Sequence, residues 1–301
     1  MKLKDYPLNR LNWEGAARYK GTLMAHPREI LLTLHANARK SFSQNFLTSP
    51  HWADLLTRRT VEVPYVEEYW EIGPGLGALT TQLLAKTSRP VKAFEIDRKL
   101  AEHLRQTQPR LEVIEGDFLD SDLSLVSPEK HSIVVMSNLP YHLSSPILFK
   151  LIDQKDRIRR LVLTFQKEFA ERLIALPRTS DYGALSVIAQ LHYKIESLGV
   201  LPPGAFYPVP AIASEALMLE PKAPPSIGTA HVTVVVKAAF KQRRKKLASN
   251  LKQLFPTAPI EAALERLGVS PMARPEELSK EQFVALTREI KPFICETICE
   301  K

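Results

Sequence analysis

The sequence predicts an α/β protein: a mostly parallel sheet with an antiparallel edge, followed by a small all-helical C-terminal domain. Three observations carry this. Apolar residues alternate between strand-like and helix-like periods from residue 66 to 176, two strand-like runs then succeed one another without a helix, and beyond residue 229 the period is helical.

The elements follow in order. Residues 66–72 (VEEYWEI) read as a strand, 78–86 as a helix, 91–96 as a strand and 98–107 as a helix. Strand-like runs at 111–116 and 132–138 come next, then a helix at 145–153, a strand at 160–166 and a helix at 167–176. Such βαβ succession builds a parallel sheet covered by helices. After a helical stretch beginning YGALSV, strands at 193–201 and 214–221 are joined by a loop and can pair antiparallel at the sheet edge. The Pro-rich stretch 221–229 reads as a linker, Gly268 as a helix C-terminus and Ser279 as the N-cap of the last helix. The domain division is therefore 1–40, a basic N-terminal extension; 41–221, the sheet domain; and 222–301, the helical domain. No internal repeat is present.

Composition bounds the function. A chain of 301 residues with 45% hydrophobic content can bury a sizeable core. No apolar run reaches the roughly eighteen residues of a membrane span. The N-terminus lacks an apolar signal core, and Asp5 and Glu14 fit an organellar transit peptide poorly, so the expected location is the cytoplasm. Cys295 and Cys299 stand four apart, two thiols on one face of a terminal helix; no metal is implied.

The formal charge of +8 is concentrated in two places. Residues 1–40 hold eight Lys or Arg against three acids, and 241–252 (KQRRKKLASNLK) hold six bases and no acid. Local basicity of this kind suits a polyanion, with nucleic acid as the leading partner. Phe240, Leu247, Leu251 and Leu254 fall at i, i+7, i+11 and i+14, predicting one helix. Its inner face would be apolar, and Lys241, Arg243, Arg244, Lys245 and Lys246 would line its outer face.

The chemistry lies at the strand ends. In EIGPGLGALT, Gly73, Gly75 and Gly77 sit between strand and helix, where a backbone must turn tightly and approach a ligand. The G-x-G-x-G spacing differs from the dinucleotide fingerprint, which weighs against pyrophosphate. Glu95 ends the next strand, where a carboxylate can accept from both hydroxyls of a ribose, and Asp117 ends the third, able to accept from an adenine amine. Three successive strand ends line one crevice and describe a nucleoside pocket that points to S-adenosylmethionine.

The fourth strand ends in NLPY, Asn138 to Tyr141. A methyl donor needs an acceptor beside it. The Asn138 side-chain oxygen and the Leu139 carbonyl could hold the two hydrogens of an exocyclic base amine and draw its nitrogen toward tetrahedral geometry. Pro140 biases Leu139 toward an extended conformation that aims its carbonyl outward, and Tyr141 could stack on the base.

With these motifs in view, SQNFL, EIGPGLGALT, FEIDR, GDFL, NLPYHLSSPILF, PPGAFYPVPAIASEALML and AAFKQRRKKLASNL occur in the order that marks the KsgA family of small-subunit rRNA adenine dimethyltransferases. The resemblance runs from about Ser41 to Ile290. It implies a Rossmann-like class I methyltransferase sheet, and S-adenosylmethionine as cofactor. It also implies a partner in the small ribosomal subunit precursor and its rRNA, action as a monomer, and no membrane. By the same resemblance Gln44, Asn45 and Leu47 close over the methionine end of the cofactor and Gly73 and Gly75 contact its amino-acid part. Glu95 meets the ribose, Asp117 and Phe118 the adenine, and Asn138 the target amine. Tyr141 and Phe206 sandwich the flipped base. Ser43 replaces a usual Gly, and His142, Leu143 and Ser144 replace a usual Asn-Ile-Ser/Thr. A non-catalytic assembly factor and a large-subunit adenine methylase are the alternatives; a nicotinamide oxidoreductase is opposed by the glycine spacing.

Overall fold

The computed structural model describes residues 18–19, 22–23, 26–34, 44–123, 132–252 and 257–293. Its centre is a seven-stranded sheet whose strands lie in the order 111–115, 91–95, 68–72, 133–138, 158–166, 214–221 and 193–201. The parallel strands are β4 (Glu68–Ile72), β5 (Val91–Glu95), β6 (Leu111–Glu115), β7 (Ile133–Asn138) and β8 (Ile158–Gln166). Antiparallel β11 (Ser214–Pro221) pairs with β8 on one side and with β9 (Tyr193–Leu201) on the other. The parallel strands β4 and β7 are buried almost throughout, as expected where helices cover both faces.

The chain moves outward from β4 to β6, then crosses back to β7. The order thus reverses between β4 and β7, and a crevice opens there at the carboxyl ends of the strands. The covering helices are α2 (Pro50–Val61), α3 (Ala78–Lys86), α4 (Arg98–Thr107), α5 (Ser144–Asp153), α6 (Lys167–Ile174) and α7 (Ala184–His192). Asp97 caps α4 by accepting from Lys99 and Leu100 N–H at 2.9 and 3.5 Å, the expected use of an acid before an apolar-periodic run.

Before the sheet come two-residue strands β1 (Arg18–Tyr19) and β2 (Thr22–Leu23), helix α1 (Pro27–Thr33) and strand β3 (Phe46–Leu47). The segment between β9 and β11, expected to be plain loop, holds a helical turn at Pro203–Ala205 and strand β10 (Phe206–Tyr207). Strand β10 pairs antiparallel with β3, Phe206 opposite Leu47. This pairing ties the N-terminal segment to the far side of the crevice, and sequence period cannot reveal it because each strand is two residues long.

After β11 the chain forms α8 (Thr229–Ala239), α9 (Leu247–Leu251), α10 (Thr257–Arg266) and α11 (Lys280–Ile290). Gly268 follows α10 at φ +62°, and Ser279 caps α11 in a reciprocal box with Gln282. These helices share one continuous apolar core with the sheet, in which Leu217, Leu219 and Tyr193 join Val232, Val235, Phe283 and Leu286. The Tyr182 hydroxyl donates to the Leu278 carbonyl across the same junction at 2.9 Å.

The single basic helix expected around 240–254 does not form. Helix α8 stops at Ala239, a tight turn occupies Phe240–Gln242, and α9 begins only at Leu247. The buried amide of Asn250 explains the break: it donates to the carbonyls of Ala239 at 2.6 Å and Gln242 at 3.0 Å, holding the turn closed. Phe240, Leu247 and Leu251 still pack inward, but from separate elements. Leu254 and the two cysteines lie outside the described residues. Among the described residues no helix is long and apolar enough to cross a membrane.

Candidate active site

The first wall of the crevice is the turn after β4. Gly73, Gly75 and Gly77 have φ of +64°, +59° and +82°, which side-chain-bearing residues rarely adopt. A Cβ on Gly73 would meet open space, whereas one on Gly75 would lie 2.9 Å from the Phe46 ring. Gly73 therefore borders the cavity and Gly75 sits under the N-terminal segment.

Glu95 is buried at the end of β5. Its carboxylate accepts from Gly75 N–H at 3.0 Å and from Asp97 N–H at 2.9 Å, fixing the glycine turn to the next strand end. Burial pushes its carboxyl above the usual carboxylate range, against those backbone hydrogen bonds. The Asp117 carboxylate takes Leu119 N–H at 2.8 Å on one oxygen. Phe118 beside it is 4% exposed and meets Phe94 edge to face at a centroid distance of 5.1 Å.

Asn138 ends β7. Its amide nitrogen donates to the Asn45 carbonyl at 2.8 Å, which fixes the amide so that the oxygen faces away from Asn45. Leu139 N–H is held by the Thr164 carbonyl at 3.2 Å, and its side chain is buried, anchoring the turn. Pro140 has φ −59° and ψ 125°, leading into the turn Tyr141–Leu143. The Tyr141 hydroxyl meets the Ser214 hydroxyl at 2.7 Å, which sets its ring beside the start of β11.

The N-terminal segment closes this constellation. Gln44 and Asn45 lead into β3, Leu47 is buried, and Thr48 N–H donates to the Ala205 carbonyl at 2.8 Å. Glycine turn, Asn138 and β10 are thus joined through one short stretch. Phe206, expected to offer a stacking face, is 2% exposed and packed in the core with Leu47, Ala205 and Leu201. In this conformation its ring has no open face, because pairing with β3 turns the side chain inward. Its neighbour Tyr207 is the more accessible ring and meets His26 edge to face at 5.0 Å.

The cations of the 241–246 run differ among themselves. All six residues are exposed, but Arg243 donates to the carbonyls of Ser180 and Tyr182, each at 2.8 Å, so its guanidinium braces the loop before α7 rather than standing free on an outer face. Lys241, Arg244, Lys245 and Lys246 make no ion pair among the described residues.

Two residues at the site carry roles that the sequence motifs do not reveal. Glu71 is 1% exposed on β4, and its carboxylate receives the Thr80 hydroxyl at 2.6 Å. Burial pushes its carboxyl up to about 7, opposed by that hydrogen bond and reinforced by the Glu95 charge. Its signal in the sequence is an acid set between Trp70 and Ile72, directly before the glycine turn. Lys150, which donates to the carbonyls of Leu119 and Ser121 at 2.6 and 2.7 Å and lies over the Phe118 ring, left no such signal.

The residues fit S-adenosylmethionine on three counts. The Gly73 side is open, an aromatic pair lies beside a carboxylate with one oxygen left for a donor, and two buried carboxylates suit a cationic ligand. Sheet order and glycine turn together define a Rossmann-like methyltransferase.

The particular family follows from comparison. The family described as ribosomal RNA adenine dimethylase matches residues 35–291, and the chain belongs to it. It is 40% identical over 282 residues to Ribosomal RNA small subunit methyltransferase A of Myxococcus xanthus, covering 90% of this chain and 97% of that one. The protein of the same name from Geobacter metallireducens is 39% identical over 264 residues, covering 83% and 94%. Among solved structures, a dimethyladenosine transferase from Plasmodium falciparum superposes with a TM-score of 0.70 at 26% identity, covering 82% of this chain and 98% of that one. The 23S rRNA methyltransferase ErmE gives 0.65 at 28%, covering 82% and 100%.

Proposed function

We propose that this protein transfers methyl groups from S-adenosylmethionine to the exocyclic amines of two adjacent adenosines near the 3′ end of small-subunit rRNA. The product is dimethyladenosine, made during ribosome biogenesis. The observation that carries the reading is Asn138: its amide nitrogen is engaged by the Asn45 carbonyl, which leaves the oxygen as acceptor for an amine brought to the end of β7.

The cofactor supplies an electrophilic methyl group on a sulfonium. Gln44, Asn45 and Leu47 cover its methionine end and Gly73 and Gly75 its amino-acid part. Glu95 accepts from the ribose, and Asp117 and Phe118 hold the adenine. The Asn138 oxygen and the Leu139 carbonyl take the hydrogens of the target amine, so that nitrogen lone-pair density is available where the methyl arrives. Tyr141 stacks on the extruded base, and Phe206 joins it once the β3–β10 pairing rearranges. Base extraction is required because a stacked or paired amine cannot reach the methyl group. Residues 222–301 and the basic extension contribute phosphate contacts, with Lys241, Arg244, Lys245 and Lys246 as direct contacts and Arg243 as the brace of their turn. The partner is the small-subunit precursor, met by a monomer in the cytoplasm.

The small-subunit reading is favoured over the large-subunit one by the named relatives that align along 83–90% of the chain at about 40% identity. Transfer of labelled methyl to undermethylated small subunits, with modified nucleotides mapped, tests it. Tandem dimethyladenosine that disappears in Asn138→Ala supports it. Tight subunit binding without transfer by the native protein would leave a non-catalytic assembly factor.

A further inference from the structure

The buried Glu71 carboxylate, at the mouth of the crevice, has no task in the proposed methyl transfer. Glu71 is the register partner of Ala93 on β5, and Glu95 stands two residues beyond Ala93, so both carboxylates project from the same face of the sheet. They are 1% and 3% exposed. Two carboxylates in that setting need a cation, a proton or ample hydrogen bonding.

The surroundings supply little of this. Glu71 receives one hydroxyl, from Thr80 on α3, and Glu95 receives two backbone N–H groups. On β7 the facing residues are Met136 and Asn138, both uncharged. Asp97 at the start of α4 adds a further negative charge, and its carboxylate caps that helix. The nearby cations face elsewhere: Lys92 pairs with Glu68 on the opposite face, Lys86 with Asp54, Arg105 with Glu115, and Lys99 reaches the Leu34 carbonyl. Among the described residues no Lys, Arg or His meets either Glu71 or Glu95.

We propose that the Glu71 carboxyl carries a proton in the ligand-free protein, where it lies buried on the same sheet face as Glu95, and releases that proton to solvent when the cationic methyl donor binds, so that donor affinity is coupled to pH. The inference rests on the methyl-donor reading of this crevice. The ligand brings a sulfonium and an ammonium against a single carboxylate, a net positive charge beside the pair. The Glu71 carboxyl O–H bond breaks, the proton passes to buffer, and the two carboxylates are then ionised within reach of a net positive ligand, Glu95 accepting from its ribose. Burial holds the Glu71 carboxyl near neutrality, which places the transition in an accessible window.

The experiment is calorimetric titration of S-adenosylmethionine into the full chain at pH 7, in phosphate and in Tris, whose ionisation heats differ. The expected result is release of about half a proton per site, the fraction carried at pH 7 by a group titrating there. Affinity measured by the same method should rise roughly tenfold between pH 5.5 and 7, as the fraction of binding-competent ionised pair grows. Glu71→Gln should abolish both effects, which separates them from the ligand's own amine. Release that persists unchanged in that variant overturns the assignment. Should the variant not fold, the native protein decides: binding with equal heats in both buffers and flat affinity overturns the inference while leaving the methyl-donor reading intact. Absence of any binding would overturn both.

Discussion

The Asn138 amide donates to the backbone carbonyl of Asn45 at 2.8 Å, joining the end of the fourth parallel strand to a segment ninety-three residues earlier. This bond orients the proposed acceptor oxygen and holds down the stretch that covers Gly75 through Phe46. Asn138→Asp keeps the side-chain shape but sets a carboxylate oxygen against that carbonyl. We expect transfer to fall by about 10²–10³-fold, the scale for losing one oriented group at a reacting centre. Amide exchange at residues 46–48 should accelerate, because their pairing with Ala205–Tyr207 loses its anchor. Single-turnover transfer and hydrogen exchange on the same variant would check it; slowed transfer with unchanged exchange would confine the role of Asn138 to the reacting amine.

The parallel half of the sheet was legible in the sequence because its strands are buried on both faces and its helices carry ordinary stops, such as Asp97 before α4 and Ser279 before α11. The strand ends that carry Glu95, Asp117 and Asn138 followed from that order. What escaped depends on partners distant in sequence. Phe206 reads as an exposed aromatic in a Pro-rich loop, yet pairing with Leu47 buries it. The spacing of Phe240, Leu247 and Leu251 satisfies a helical period, yet the Asn250 amide takes the carbonyls that a continuing helix would use. Glu71 reads as one more strand residue before the glycine turn, and only the register of β4 with β5 sets it on the face that carries Glu95.

Asn250 is 1% exposed and satisfies two carbonyls at the break between α8 and α9. Asn250→Ala removes the amide donor from the Ala239 carbonyl and one of the two donors from the Gln242 carbonyl, which keeps the Lys245 N–H at 2.9 Å. The expected loss is about 1 kcal/mol of stability, the cost of removing a buried donor from the Ala239 carbonyl. Urea unfolding would report it as a lowered midpoint with an unchanged slope. An unaltered midpoint would mean that the turn is held by the packing of Phe240 and Leu247 alone.

Arg243 and Arg244 are neighbours with different duties. Arg243→Ala removes a guanidinium bound to the Ser180 and Tyr182 carbonyls and should lower stability by about 1 kcal/mol. Arg244 has no ion pair among the described residues and is exposed, so Arg244→Ala should leave the unfolding midpoint in place. Its effect should appear in RNA binding, with the salt slope of affinity reduced by roughly one phosphate contact. Denaturation and salt-dependent binding curves on both variants would distinguish them; equal stability losses would return Arg243 and Arg244 to a single role.

Glu71 makes ligand-free stability depend on pH in a direction opposite to that of an ordinary paired carboxylate. Burial raises its folded carboxyl from 4.5 to about 7, so the folded state binds more protons than the unfolded state between those values. The stabilisation carried by the protonated form is fully present below about 4.5 and is lost as pH rises through 7. Over that window the loss is on the order of 3 kcal/mol. Glu71→Gln stays neutral at every pH and keeps an oxygen for the Thr80 hydroxyl. Its advantage over the native chain should therefore be larger at pH 8 than at pH 5, and the difference cancels titrations common to both proteins. Urea midpoints of the two at those pH values measure it directly. Parallel stability curves would mean that Glu71 remains ionised throughout, with solvent or a rearranged Thr80 contact carrying its charge.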